Sequence, residues 1–160
     1  MLLYHGSNTV VEKPEIINGI RGLDFGIGFY TTSNHKQAIR FTENVVNRNK
    51  YGQRTVSHYE IDESELFKKC SFKKFETPDE KWLDFVAQNR TNKYNGCKYD
   101  LIIGPVANDT VYNVINLYLD GIYTKKEALK RLKIRELFDQ WTFCSEKSLE
   151  LLKFKKSEII

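Results

Sequence analysis

The run Tyr99-Asp-Leu-Ile-Ile-Gly-Pro-Val106 constrains the fold more than any other segment. It reads as a short apolar strand, buried enough to be central, and the rest of the chain must be arranged around it. Helix signals flank it. Upstream, Thr77-Pro78-Asp79-Glu80 predicts a helix start with Thr77 as cap, and Trp82, Phe85, Val86 and Asn89 on one face. Downstream, Asp109 or Thr110 caps a helix with Val111, Val114, Ile115, Tyr118 and Leu119 inward, closed by Gly121.

The other elements alternate irregularly. Strands are expected over 2–5, 29–32, 54–62 and 140–144, with a terminal strand within 153–160. Asn34 with Gln37 reads as a capping box, and Ala38, Phe41 and Val45 form a helical stripe behind it. Thr124-Lys-Lys-Glu127 opens a short helix, and Ser145 caps a last one carrying Leu149 and Leu152. This mixture is an α+β domain, not a regular doubly wound sheet. Gly22, Gly26 and Gly28 lack the spacing of a dinucleotide fingerprint, and a strand follows them where that motif needs a helix.

Composition narrows the class. The chain has 160 residues, and no linker or repeat divides it, so one domain over 1–160 is expected. At 41% hydrophobic and 29% charged it is an ordinary globular sequence rather than a disordered one. No apolar run reaches the roughly 18 residues of a membrane span. The opening Met1-Leu-Leu-Tyr-His-Gly lacks a basic leader region, so the expectation is a mature start and a cytoplasmic protein. Cys70, Cys97 and Cys144 are odd in number and scattered, as thiols in a reducing compartment are. The net charge of +4 permits a nucleic-acid partner without requiring one. The basic groups at 68–74, 125–135 and 153–156 read as solvated faces.

Four short segments carry the candidate chemistry. His5-Gly6-Ser7 ends the first strand, and a glycine there lets a ligand approach the backbone. Gly26-Ile-Gly-Phe-Tyr30-Thr-Thr-Ser follows. Phe41 stands eleven residues after Tyr30 on the next helix, and Gln140 opens a late strand. Each residue alone also has a structural reading. In this order and spacing the set resembles the ADP-ribosyltransferase superfamily, in its diphtheria-toxin and PARP-like branch with a His-Tyr-Glu triad. With Trp82-Leu-Asp-Phe-Val-Ala-Gln-Asn-Arg90 and Tyr99–Thr110, nearly the whole chain also looks like the bacterial family DUF3990, grouped with those enzymes and in part similar to toxins of toxin–antitoxin pairs.

The resemblance implies a split β-sheet with flanking helices around an NAD cleft. It implies NAD as co-substrate, no metal, mono-ADP-ribosyl transfer to a protein or nucleic-acid acceptor, and an antitoxin partner. His5, Tyr30 and Gln140 would be the catalytic set. His5 would bond the adenosine-side ribose, Gly6 the nicotinamide amide, and Ser7 would add a hydroxyl. Tyr30 and Phe41 would sandwich the ring. The loop Gly19–Gly28 would close over the pocket. Gln140 departs from the family's Glu: it keeps hydrogen-bonding capacity without charge, which disfavours polymer elongation. Glu136 shares its strand parity but lies about 13 Å along an extended chain. Gln140-Trp-Thr142 lacks the paired acids of arginine-specific relatives.

Other readings stay open. Asn108 and Asp109 are either a helix cap or the pocket rim, binding the ribose or the acceptor. Arg90 is either a pyrophosphate contact or a surface ion pair. His35 and His58 match no zinc spacing, and His58 with Glu60 reads as an exposed strand face. A silent module binding NAD, ADP-ribose or a protein is the alternative function, and an RNA-processing domain a further one.

Overall fold

The computed structural model describes residues 1–16, 23–91, 98–106, 109–133 and 138–160, and only the backbone of 109 and 110. In chain order the elements are β1 (Leu2–Ser7), β2 (Phe29–Thr31), α1 (His35–Asn49), β3 (Thr55–Glu60), α2 (Glu63–Lys69), β4 (Phe72–Lys74) and α3 (Glu80–Arg90). There follow β5 (Leu101–Pro105), α4 (Asp109–Leu119), α5 (Lys125–Leu132), β6 (Asp139–Phe143), α6 (Glu146–Leu149) and β7 (Lys153–Ile159). The fold is therefore α+β.

The strands form two sheets, β1-β3-β7 and β2-β6-β5-β4. Every pairing is antiparallel except β4 with β5. The core between the sheets joins Leu3 and Tyr59 of the first, with Ile61 just past β3, to Phe29, Leu101, Ile103, Trp141 and Phe143 of the second. Ile102 points the other way, into a second core with Trp82, Leu83 and Val86 of α3 and with Val111 and Ile115 of α4. Strand β5 is buried along its whole length. Alternate residues serve the two cores, which is why its sequence is continuously apolar instead of alternating.

Local signals set the helix starts. Asn34 accepts the Gln37 N–H, and Thr124 makes a full capping box with Glu127. The cap of α3 is Asp79, whose carboxylate accepts the Trp82 N–H at 2.9 Å, not Thr77. Helix α2 and strand β4 were not expected. Asp62 caps α2 by accepting from Ser64 and Glu65, a three-residue signal that a purely apolar search passes over. Among the described residues no helix is long and apolar enough to cross a membrane.

Asp100 joins the start of β5 to two neighbouring segments. Its carboxylate accepts from the Ser71 N–H (2.8 Å), the Ser71 hydroxyl (3.0 Å) and the Ser145 hydroxyl (2.7 Å), with Lys147 at 3.6 Å. Burial pushes its pKa up, but these donors outweigh it and hold the group below the usual carboxylate value. A carboxyl depressed in the folded state stabilises it above the unfolded pKa and loses that contribution as pH falls through the folded one. We expect Asp100→Ala to cost about 1.5–3 kcal/mol at neutral pH in urea unfolding. The gap to the natural chain should narrow below about pH 4.

Candidate functional site

Among the described residues the two sheets meet edge to edge at one place. Tyr4 of β1 and Thr32, just past β2, exchange both backbone hydrogen bonds, at 2.8 and 3.0 Å. In an antiparallel ladder the next rung would set Gly6 opposite Tyr30. That rung does not form. The Tyr30 carbonyl instead accepts from the His5 ring, Nδ1 to O at 2.7 Å. Tyr4 spends both backbone groups on Thr32, so by alternation Gly6, two residues on, also turns its N–H and C=O away from β3 and toward the gap. Among the described residues neither group has a partner. Gly6 is buried, and a buried unpaired amide is uncommon enough to require an explanation.

The other side of Gly6 is closed by α1. A Cβ there would stand 2.2 Å from the Ala38 carbonyl oxygen and 3.2 Å from a Thr42 methyl. The glycine is thus required by helix packing, which gives the structural reading of His5-Gly6-Ser7 its physical content beside that of ligand approach.

His5 is held in one orientation. Its ring lies 4.4 Å from that of Phe29, centroid to centroid, at 31°. A carbonyl only accepts, so Nδ1 carries the proton and Nε2 is the acceptor of the neutral ring. Burial pushes the imidazole pKa below its ordinary value, and the Tyr30 carbonyl opposes this only in part.

Tyr30 lies on the far face of β2 from Phe29. Its hydroxyl donates to the Gly26 carbonyl at 2.6 Å and accepts the Phe25 N–H at 3.2 Å. Tyr30 pairs with Thr142, and Gln140 lies two residues along β6 on that same face, opposite Gly104. Gln140 Nε2 and Thr142 Oγ1 are buried without a hydrogen-bond partner, the two such side-chain atoms among the described residues. Each costs about 1–3 kcal/mol if left so. Thr142 was not singled out from sequence, although its strand parity with Gln140 was the available signal.

The remaining candidates fall as follows. Phe41 is 48% exposed; Thr42 takes its expected place in the buried stripe with Ala38 and Val45. Ser7 ends β1, half-buried, its hydroxyl toward Asn8. Asn108 lies outside the described residues, as do Gly19, Gly22, Cys97 and Glu136, and Asp109 begins α4.

Three expectations need correction. Arg90 forms an ion pair, but a buried one: its guanidinium lies 2.6 Å from Asp24, the side chains being 8% and 12% exposed. The described part of the loop expected to be mobile is pinned. Asn89 donates to the Asp24 carbonyl, Tyr30 holds Phe25 and Gly26, and Gly26 takes φ +80, where a side chain is strained. His58 is buried under α1, not on an exposed face, while Glu60 pairs outside with Lys155.

Two measurements check this geometry. Gly6→Ala should cost about 1–3 kcal/mol through overpacking on α1. The His5 ring binds its proton more readily unfolded than folded, so stability falls as pH drops through the unfolded value near 6.5. His5→Gln should flatten that decline between pH 7 and 5 in urea titrations; parallel curves would contradict the neutral enclosed ring.

The family comparison adds one result to this geometry. No curated protein and no solved structure matches the chain. A family model described as "Protein of unknown function (DUF3990)" matches residues 1–154, which takes in every strand but most of β7 and every residue around the open rung, and the chain belongs to that family.

Proposed function

We propose that this protein is an NAD-dependent mono-ADP-ribosyltransferase whose nicotinamide site is the open rung between β1 and β2. The observation that carries the reading is the N–H and C=O of Gly6, which have no partner among the described residues and by strand alternation face the gap side by side. A primary carboxamide is the complement of that pair: its oxygen accepts the N–H and its amino group donates to the C=O. Nicotinamide carries this group on a flat ring, and aromatic walls suit such a ring. Tyr30 stands at the rung, and Phe41 on α1 is an exposed aromatic beside the helix residues that press on Gly6.

In this reading the bond between nicotinamide and ribose breaks, nicotinamide leaves with the electron pair, and an oxocarbenium-like ribose is captured by an acceptor nucleophile. His5 offers Nε2 as an acceptor for a ribose hydroxyl. Gln140 Nε2 and Thr142 Oγ1, buried and without a partner on the Tyr30 face of β6, are the polar atoms that a sugar reaching that face would engage. Glutamine donates a hydrogen bond but does not offset the developing positive charge, so turnover is slow and each transfer is single. The acceptor is a protein or nucleic acid, and a cytoplasmic toxin held in check by an antitoxin fits such a single-transfer enzyme.

Gln140 also favours a second reading: a module that binds NAD or ADP-ribose without turnover. Nicotinamide release from NAD by the purified chain, with and without cell lysate, decides between them. We expect release that Tyr30→Ala abolishes and Tyr30→Phe retains in part. Tyr30 also pins residues 25 and 26, so each variant's melting temperature must be read beside its rate. Gln140→Glu should raise NAD hydrolysis about tenfold or more, in line with about 1.4 kcal/mol or more of charge stabilisation. Binding without release in any variant supports the silent module. No binding at all overturns both.

A further inference from the structure

Away from the split, three ligand-bearing side chains converge on the outer face of the first sheet. Glu158 of β7 pairs with Val56, and Lys156 with His58, so His58 and Glu158 are diagonal neighbours on one face. His35, the first residue of α1, covers them. A ring nitrogen of His35, a ring nitrogen of His58 and a carboxylate oxygen of Glu158 all lie within 4.8 Å of one another. His58 Nε2 is 3.1 Å from Glu158 Oε1, and His35 Nε2 contacts that same oxygen. Tyr4 sets its ring against both imidazoles, at 4.9 and 5.0 Å between centroids, and holds their planes.

We propose that His35, His58 and Glu158 bind a divalent transition-metal ion of the zinc class. Two imidazole nitrogens and one carboxylate oxygen suit zinc, cobalt(II) or nickel(II), whereas magnesium and calcium select oxygen donors. Three protein ligands meeting at one point leave a fourth position for water. That position opens outward, because the His35 and Glu158 side chains are 38% and 34% exposed while that of His58 is 9% exposed. Lys156 shares this face with an exposed side chain that can turn to solvent.

The ion would tie the start of α1 to β3 and β7. Helix α1 supplies Ala38 and Thr42 against Gly6 and carries Phe41, so the ion would fix one wall of the split from behind. The proposal does not depend on what the split binds.

Cobalt(II) titrated into the metal-free full chain is the test. We expect visible d–d absorption that saturates at a stoichiometric ratio and is displaced by zinc. Zinc at about a hundredfold over its Kd should raise the melting temperature by about 5–10 °C. His35→Ala and Glu158→Gln should each lose the absorption and the shift. Both positions are partly exposed, so the metal-free variants should melt close to the natural chain; His58→Ala alters a buried site and serves only as corroboration. Three outcomes overturn the proposal: no absorption and no shift at millimolar metal, absorption that survives both variants, or a sulfur-to-cobalt charge-transfer band that places the ion on a cysteine.

Discussion

The Tyr4–Thr32 bridge is the interaction on which the arrangement depends. It brings two sheets with different partners and different cores to a single edge. If the ladder ran on, Gly6 and Tyr30 would close it and the molecule would hold a continuous sheet. His5 prevents this by occupying the Tyr30 carbonyl with a side-chain donor in place of a backbone one. The substitution conserves the hydrogen bond of Tyr30 and transfers the deficit to Gly6. The cost of an unsatisfied peptide is thereby placed at a position where α1 forbids a side chain.

The bridge is itself held from behind. Asp139 accepts from the Ser33 N–H and hydroxyl, from the Thr32 hydroxyl and from the Trp141 indole. Four donors on one carboxylate fix the end of β2 against β6. On the far side, the buried Arg90–Asp24 pair and the Tyr30 hydroxyl fix the approach to β2. The guanidinium also stacks on Tyr112 and donates to Asn116, so the charge is matched by several partners, as a buried ion requires. The segment entering the split is therefore rigid where it meets Tyr30.

Much of this was legible in the sequence. Capping residues announced α1, α5 and α6, and the apolar run announced β5, because these signals are local. Phe41 was misread because a period of 3.6 admits either Phe41 or Thr42 to the stripe, and apolarity chose the wrong one. The strand against α1 decided it: the Thr42 methyl faces Gly6 of β1, and Phe41 is left 48% exposed. Arg90 and Asp24, or His35, His58 and Glu158, are invisible to spacing arguments. Their proximity is made by strand register and helix placement, and no motif of fixed length spans them. The order His5, Tyr30, Gln140 was readable, but the missing rung that joins the first two is a property of three dimensions.

The carboxylate question at β6 follows from strand parity. Asp139 precedes Gln140, so its side chain leaves the opposite face of the strand, where four donors already engage it. It cannot turn toward the Tyr30 face without breaking the ties that hold the bridge. Along the described β6, the face shared with Tyr30 carries Gln140 and Thr142, both neutral. Any positive charge that develops beside them meets dipoles and no anion from this strand. On the NAD reading that is an ordering of function: the pocket recognises the carboxamide and the sugar through neutral hydrogen bonds, and rate is sacrificed before affinity. A carboxylate at position 140 would reverse that order without moving the backbone, because glutamate and glutamine occupy the same volume.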